Sequence, residues 1–81
     1  MSFVKDEARK KALCARLARV EGQLRGLQKL IQADTEPDKV AQQMAAARKA
    51  LDKAFFAMVS ALIAEERLDA DEVGALLLRF A

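Results

Sequence analysis

Six apolar residues, Leu13, Leu17, Val20, Leu24, Leu27 and Ile31, recur at spacings of four, three, four, three and four. At about 100° per residue they fall within about an 80° arc of one helix. That is a heptad seam, narrow enough to pack against one or two partner helices. From about Val4 to Gln32 only Gly22 and Gly26 work against a helix, so the spacing predicts one long amphipathic helix that has to be paired. Ala, Leu, Arg, Lys, Glu and Gln dominate the rest, Trp and Tyr are absent, and Pro37 is the only proline, so the chain reads as all-α.

Ala33-Asp-Thr-Glu-Pro-Asp38 reads as the turn that follows, with Thr35 expected to cap a second helix and Pro37 suited to its first turn. That helix is expected to run from about Pro37 to Glu66. Its first half is apolar on one side through Val40, Met44, Ala47 and Leu51. Its second half adds Phe56, Val59 and Ile63 to Phe55, Met58 and Leu62, and becomes apolar over more than half its circumference. One neighbouring helix cannot cover so broad a surface. Asp69, with Glu72 three residues on, predicts a capped third helix over about 70–80, its apolar face built from Val73, Leu76, Leu77 and Phe80. A single domain of 81 residues has little core of its own. Each large apolar side chain gains about 1.5–3 kcal/mol on burial, so leaving Phe56, Val59 and Ile63 wet would forgo several. The expected remedy is a dimer built as an antiparallel four-helix bundle, or a larger assembly.

The net charge of +2 hides an asymmetry. Residues 1–31 carry eight basic and three acidic side chains, whereas residues 32–81 carry six basic and nine acidic ones. A basic first helix points to a polyanionic partner. On the helical wheel Lys5, Arg9, Arg16, Arg19 and Gln23 form one strip beside the seam, uninterrupted by a carboxylate. Such a strip can follow a phosphate backbone, arginine forks on phosphates and Gln23 on a phosphate or a base edge, and it can equally be a solvated face. Arg48 and Asp52 stand four apart on the second helix, either as an intrahelical pair or with Arg48 extending the basic surface. Gly22 and Gly26 each cost up to about 1 kcal/mol against alanine, which suggests a second helix–helix contact or close approach of a ligand.

Catalysis finds little support, because the chain lacks histidine and a phosphate-cradling glycine loop, and its carboxylates read as helix caps or solvated charges rather than as a constellation facing a cleft. Cys14, the only cysteine, forms no internal disulfide; with Lys10 and Lys11 nearby it is either a redox-responsive thiol or a small helix residue. No cofactor is implied. No apolar run is long enough to span a bilayer and none at the start resembles a signal peptide, so a cytoplasmic location is expected.

The run Arg16-Leu-Ala-Arg-Val-Glu-Gly-Gln-Leu-Arg-Gly-Leu-Gln-Lys-Leu-Ile31 resembles the first-helix signature of the CsoR/RcnR family of bacterial metal- and formaldehyde-sensing transcriptional repressors. Val40-Ala-Gln-Gln-Met-Ala-Ala-Ala-Arg-Lys-Ala-Leu-Asp52 resembles its second-helix signature, and the resemblance covers nearly the whole chain. It implies a three-helix protomer, a four-helix-bundle dimer, and commonly a disc-shaped tetramer that binds double-stranded operator DNA until a ligand weakens the complex. Carried over by residue, Arg16, Arg19, Gln23 and Arg48 match the family's DNA-facing surface, joined here by Lys5 and Arg9. The family's metal ligands are two cysteines and a histidine; in this register those positions hold Pro37, Leu62 and Glu66. Proline and leucine offer no donor, and one carboxylate does not hold a soft metal. The expectation is therefore a DNA-binding repressor without the usual metal site. The competing reading is a helical interaction module that forms mixed oligomers with a metal-binding relative through Phe55, Phe56, Met58 and the third helix.

Overall fold

The computed structural model describes residues 3–81 as three helices: α1 (Glu7–Gln32), α2 (Pro37–Ala64) and α3 (Ala70–Phe80). The order matches the sequence reading, while α1 starts later than Val4 and α2 ends before Glu66. Asp6 accounts for the first difference, since its side chain caps α1 by accepting from the Ala8 backbone N–H at 2.9 Å, leaving Val4 in an extended lead-in. At the other end of α2, Glu66 takes a left-handed backbone with φ 57°. The N–H groups of Glu66 and Arg67 turn back to the Ile63 and Leu62 carbonyls, which closes the helix two residues early. Asp34, φ 55°, does the same for α1, with Thr35 donating to the Leu30 carbonyl. Thr35 does not cap α2: Glu36 occupies the cap position, no side chain caps the helix, and Pro37 removes one of the donors that would need one. Asp69 and Glu72 do form the expected reciprocal cap on α3, at 2.8 and 3.1 Å.

α1 and α2 double back on each other as an antiparallel hairpin, and among the described residues theirs is the only extensive helix–helix contact. The heptad seam splits when it packs. Val20 and Leu27 are buried against α2, whereas Leu17, Leu24 and Ile31 keep 46–53% of their surface exposed. On α2 the contact line is Ala47, Ala54 and Ala61, all buried at seven-residue intervals, while Met44 and Leu51 remain half exposed. Small alanines let the helices approach closely and leave little core between them. Val59 finds cover within the protomer, contrary to expectation, but Phe56 and Ile63 stay half exposed. α3 buries no residue fully and presents Leu78 and Phe80 to solvent. The deepest side chain among the described residues is Val4, fully buried and clustered with Ala61 and Leu62. The described protomer extends 47 × 27 × 15 Å, too thin for a second layer of helices.

Candidate nucleic-acid interface

Register decides what each flank of the hairpin carries. Leu17, Leu24, Met44, Leu51 and Met58 each stand three residues before a buried position of the contact line, which turns them about 60° to one side. Because the helices are antiparallel, that rotation sends all five to the same flank. There Leu17, Leu51 and Met58 border an apolar groove of about 780 Å³, lined also by Leu13, Cys14 and Phe55 and bounded by Phe3 and Phe80, while Leu24 and Met44 continue the flank beyond it. Arg16 and Gln23 stand four residues before Val20 and Leu27, Arg9 four before Leu13, and Arg19 one before Val20, so they turn to the opposite flank. A shallower groove of about 320 Å³ runs there, with Arg9 and Arg16 on one wall and Ala57, Ser60 and Ala64 on the other.

Arg9, Arg16, Arg19 and Gln23 of the expected strip are thus brought together on α1, whereas Lys5 precedes the Asp6 cap and lies off the helical wheel; the four are not equivalent. Arg16, Arg19 and Gln23 are exposed and engage no carboxylate. Arg9 donates through Nη1 to Glu65 Oε2 at 3.2 Å and lies 3.9 Å from Asp6 Oδ2. Glu65 also accepts from the backbone N–H groups of Lys5 and Asp6, at 2.7 and 3.1 Å. Those bonds, the one from Lys5 foremost, hold its carboxyl below the usual carboxylate range despite partial burial. Glu65 escaped the sequence reading altogether. Its partners lie up to 60 positions away, and only helical closure brings them near.

Arg48 follows buried Ala47 by one residue, which turns it about 100° towards the apolar flank rather than beside Arg16 and Arg19. It makes no ion pair with Asp52, nor does Glu21 with Arg25; the pairs nearest the strip are those of Arg9 and Lys10–Glu7 at 3.6 Å. Cys14 is exposed on the apolar groove with Lys10 beside it. A Cβ added at Gly22 or Gly26 would meet nothing within 4 Å, so hairpin packing does not explain these glycines.

A family model described as "metal-sensitive transcriptional repressor" matches residues 9–77 of the 81. The chain belongs to this family. The match includes α1 from Arg9 onward, all of α2, most of α3, and with them Arg9, Arg16, Arg19, Gln23 and Arg48. Comparison with curated proteins and with solved structures finds no match. The family description implies a metal, and the side chains at the positions noted above do not fit one. Leu62 is packed into the Val4–Ala61 cluster, Pro37 has no donor atom, and Glu66 offers a single carboxylate on a left-handed turn. No three His, Cys, Asp or Glu side chains gather to hold an ion among the described residues. Nor is any described helix long and apolar enough to cross a membrane.

Proposed function

We propose that this member of the family is a cytoplasmic repressor that binds double-stranded operator DNA as an oligomer and has lost the family's metal site. The observation that carries the reading is the segregation of the hairpin's flanks. Assembly through the apolar flank would leave the carboxylate-free strip of Arg16, Arg19 and Gln23 open to a phosphate backbone.

Surface area supports the assembly. The protomer exposes 6332 Å². A compact monomer of its mass should expose about 4,800 Å². The excess is roughly 1,500 Å², against about 800 Å² per partner in a standard interface. Two copies joined through Leu17, Leu24, Ile31, Met44 and Leu51 form an antiparallel four-helix bundle. Phe56, Ile63, Leu78 and Phe80 remain for a second contact, and with it a disc-shaped tetramer. Arg48 joins the basic surface only through a partner, because its own protomer turns it away from Arg16.

A gel shift with the DNA upstream of the chain's own gene, repeated across a salt series, tests the reading. If about six phosphates are neutralised per bound unit, log K falls against log salt with a slope of roughly −5. A salt-insensitive complex overturns it. Absence of DNA retention together with co-purification of a metal-binding relative would favour the mixed-oligomer module instead.

A further inference from the structure

The segment ahead of α1 is held by more than its length would suggest. Val4 is fully buried against the last turns of α2, in one cluster with Ala61 and Leu62. The next two backbone N–H groups, of Lys5 and Asp6, each donate to one oxygen of the Glu65 carboxylate. Arg9 Nη1 adds a third bond at 3.2 Å, to a side chain that keeps only 10% of its surface exposed.

These bonds are not interchangeable. A carboxylate largely removed from water has to be satisfied, and two backbone donors already occupy both Glu65 oxygens. Arg9 is therefore the partner that can leave at least cost. While it stays, its charge is met by Glu65 and, at 3.9 Å, by Asp6, so it brings little positive potential to a phosphate.

We propose that Glu65 is a latch: it holds the N-terminal segment closed on α2 and masks Arg9, so that the basic strip gains a cation only when the latch opens. The latch occupies the residue before the left-handed turn at Glu66 that leads to α3. A rearrangement of the α2–α3 junction would thus alter the charge offered by α1, two-state behaviour that a ligand or partner could bias. The functional consequence rests on the DNA reading; the masking of Arg9 does not.

The test compares the full chain with its Glu65→Gln variant by hydrogen exchange at the Lys5 and Asp6 amides. The same pair is then eluted from heparin and titrated with a random-sequence duplex across salt. Faster exchange, later elution, and a salt slope steeper by about 0.9 per freed arginine are expected, and adding Arg9→Gln should remove the gain. Unchanged exchange overturns the latch. Faster exchange with an unchanged or shallower slope overturns the masking, since Glu65 would then be positioning Arg9. If the wild-type chain ignores duplex DNA, the DNA reading fails, and exchange with heparin elution still decides the latch. Should Glu65→Gln not fold, Val4→Ala loosens the same segment without touching a charge and has to show the same faster exchange and later elution.

Discussion

The two flanks of the α1–α2 hairpin are written by the same periodicity one residue out of step. Positions three before the contact line are leucine and methionine, and positions four before it on α1 are arginine and glutamine. One flank leaves apolar side chains half covered; the other lays exposed Arg16, and Arg9 paired to Glu65, beside the small residues Ala57, Ser60 and Ala64. Opposite flanks let the proposed self-association and the proposed polyanion contact coexist without competing for surface. Each should therefore be breakable alone.

The largest effect is expected on the apolar flank. Leu24→Asp with Leu51→Asp alters four half-exposed leucines per dimer, and the burial forgone amounts to roughly 3–6 kcal/mol. The dissociation constant should rise by about two to four orders of magnitude, before the added charge repulsion is counted. Light scattering during gel filtration reads the mass directly. An assembly of unchanged mass would mean that this flank is not the interface.

Charge reversal on the other flank is the complementary break. Arg16→Glu with Arg19→Glu should leave the mass unaltered, weaken duplex binding by at least about a hundredfold, and flatten the salt slope by about 1.8 for each protomer that contacts DNA. A loss of mass in this variant would show that the flanks are not independent. Retained binding would remove the strip from the interface.

The comparison also separates what was legible in the residues from what was not. The helix order, the Pro37 start and the Asp69–Glu72 cap are local, set by backbone donors and side chains within four residues of one another. So is the existence of the seam. Its division into buried Val20 and Leu27 and exposed Leu17, Leu24 and Ile31 is not local, because periodicity defines an arc without saying which part a neighbour covers. Arg48 fell on the unexpected flank for the same reason: its angle matters only relative to the Ala47 line, and that line appears when the helices meet. Thr35 yielded the cap position to Glu36 because the closing turn of α1 had already drawn the Thr35 N–H to the Leu30 carbonyl. Glu65 was invisible because its partners are supplied by a distant segment.

A smaller effect sharpens the comparison by adding a third surface, the outer side of α1 that carries Gly22. Nothing in the protomer would touch a methyl group there, so Gly22→Ala should raise protomer stability by up to about 1 kcal/mol in denaturant unfolding at fixed concentration. If the same variant forms a smaller assembly, the second copy comes close at this side. If instead only DNA binding weakens, the duplex does. A gain with neither loss assigns the outer side of α1 to solvent.

The smallest effect is expected at Glu65, which ties the segment ahead of α1 to the end of α2. The Lys5 N–H, with help from Asp6 and Arg9, holds its folded carboxyl below an ordinary value of 4.5, so protonation is easier in the unfolded chain. The sign follows from that order: the stabilisation is fully present above 4.5 and is lost as the pH falls through the lower, folded value. Glu65→Gln has no proton to take up there. Its deficit in thermal midpoint relative to the wild-type chain should therefore be constant near neutrality and narrow on acidification through the interval below 4.5. A deficit of constant size across that interval would mean that the charge of Glu65, as distinct from its shape, does not hold the N-terminal segment. The apolar contact of Val4 would then be sufficient to keep Arg9 on its flank.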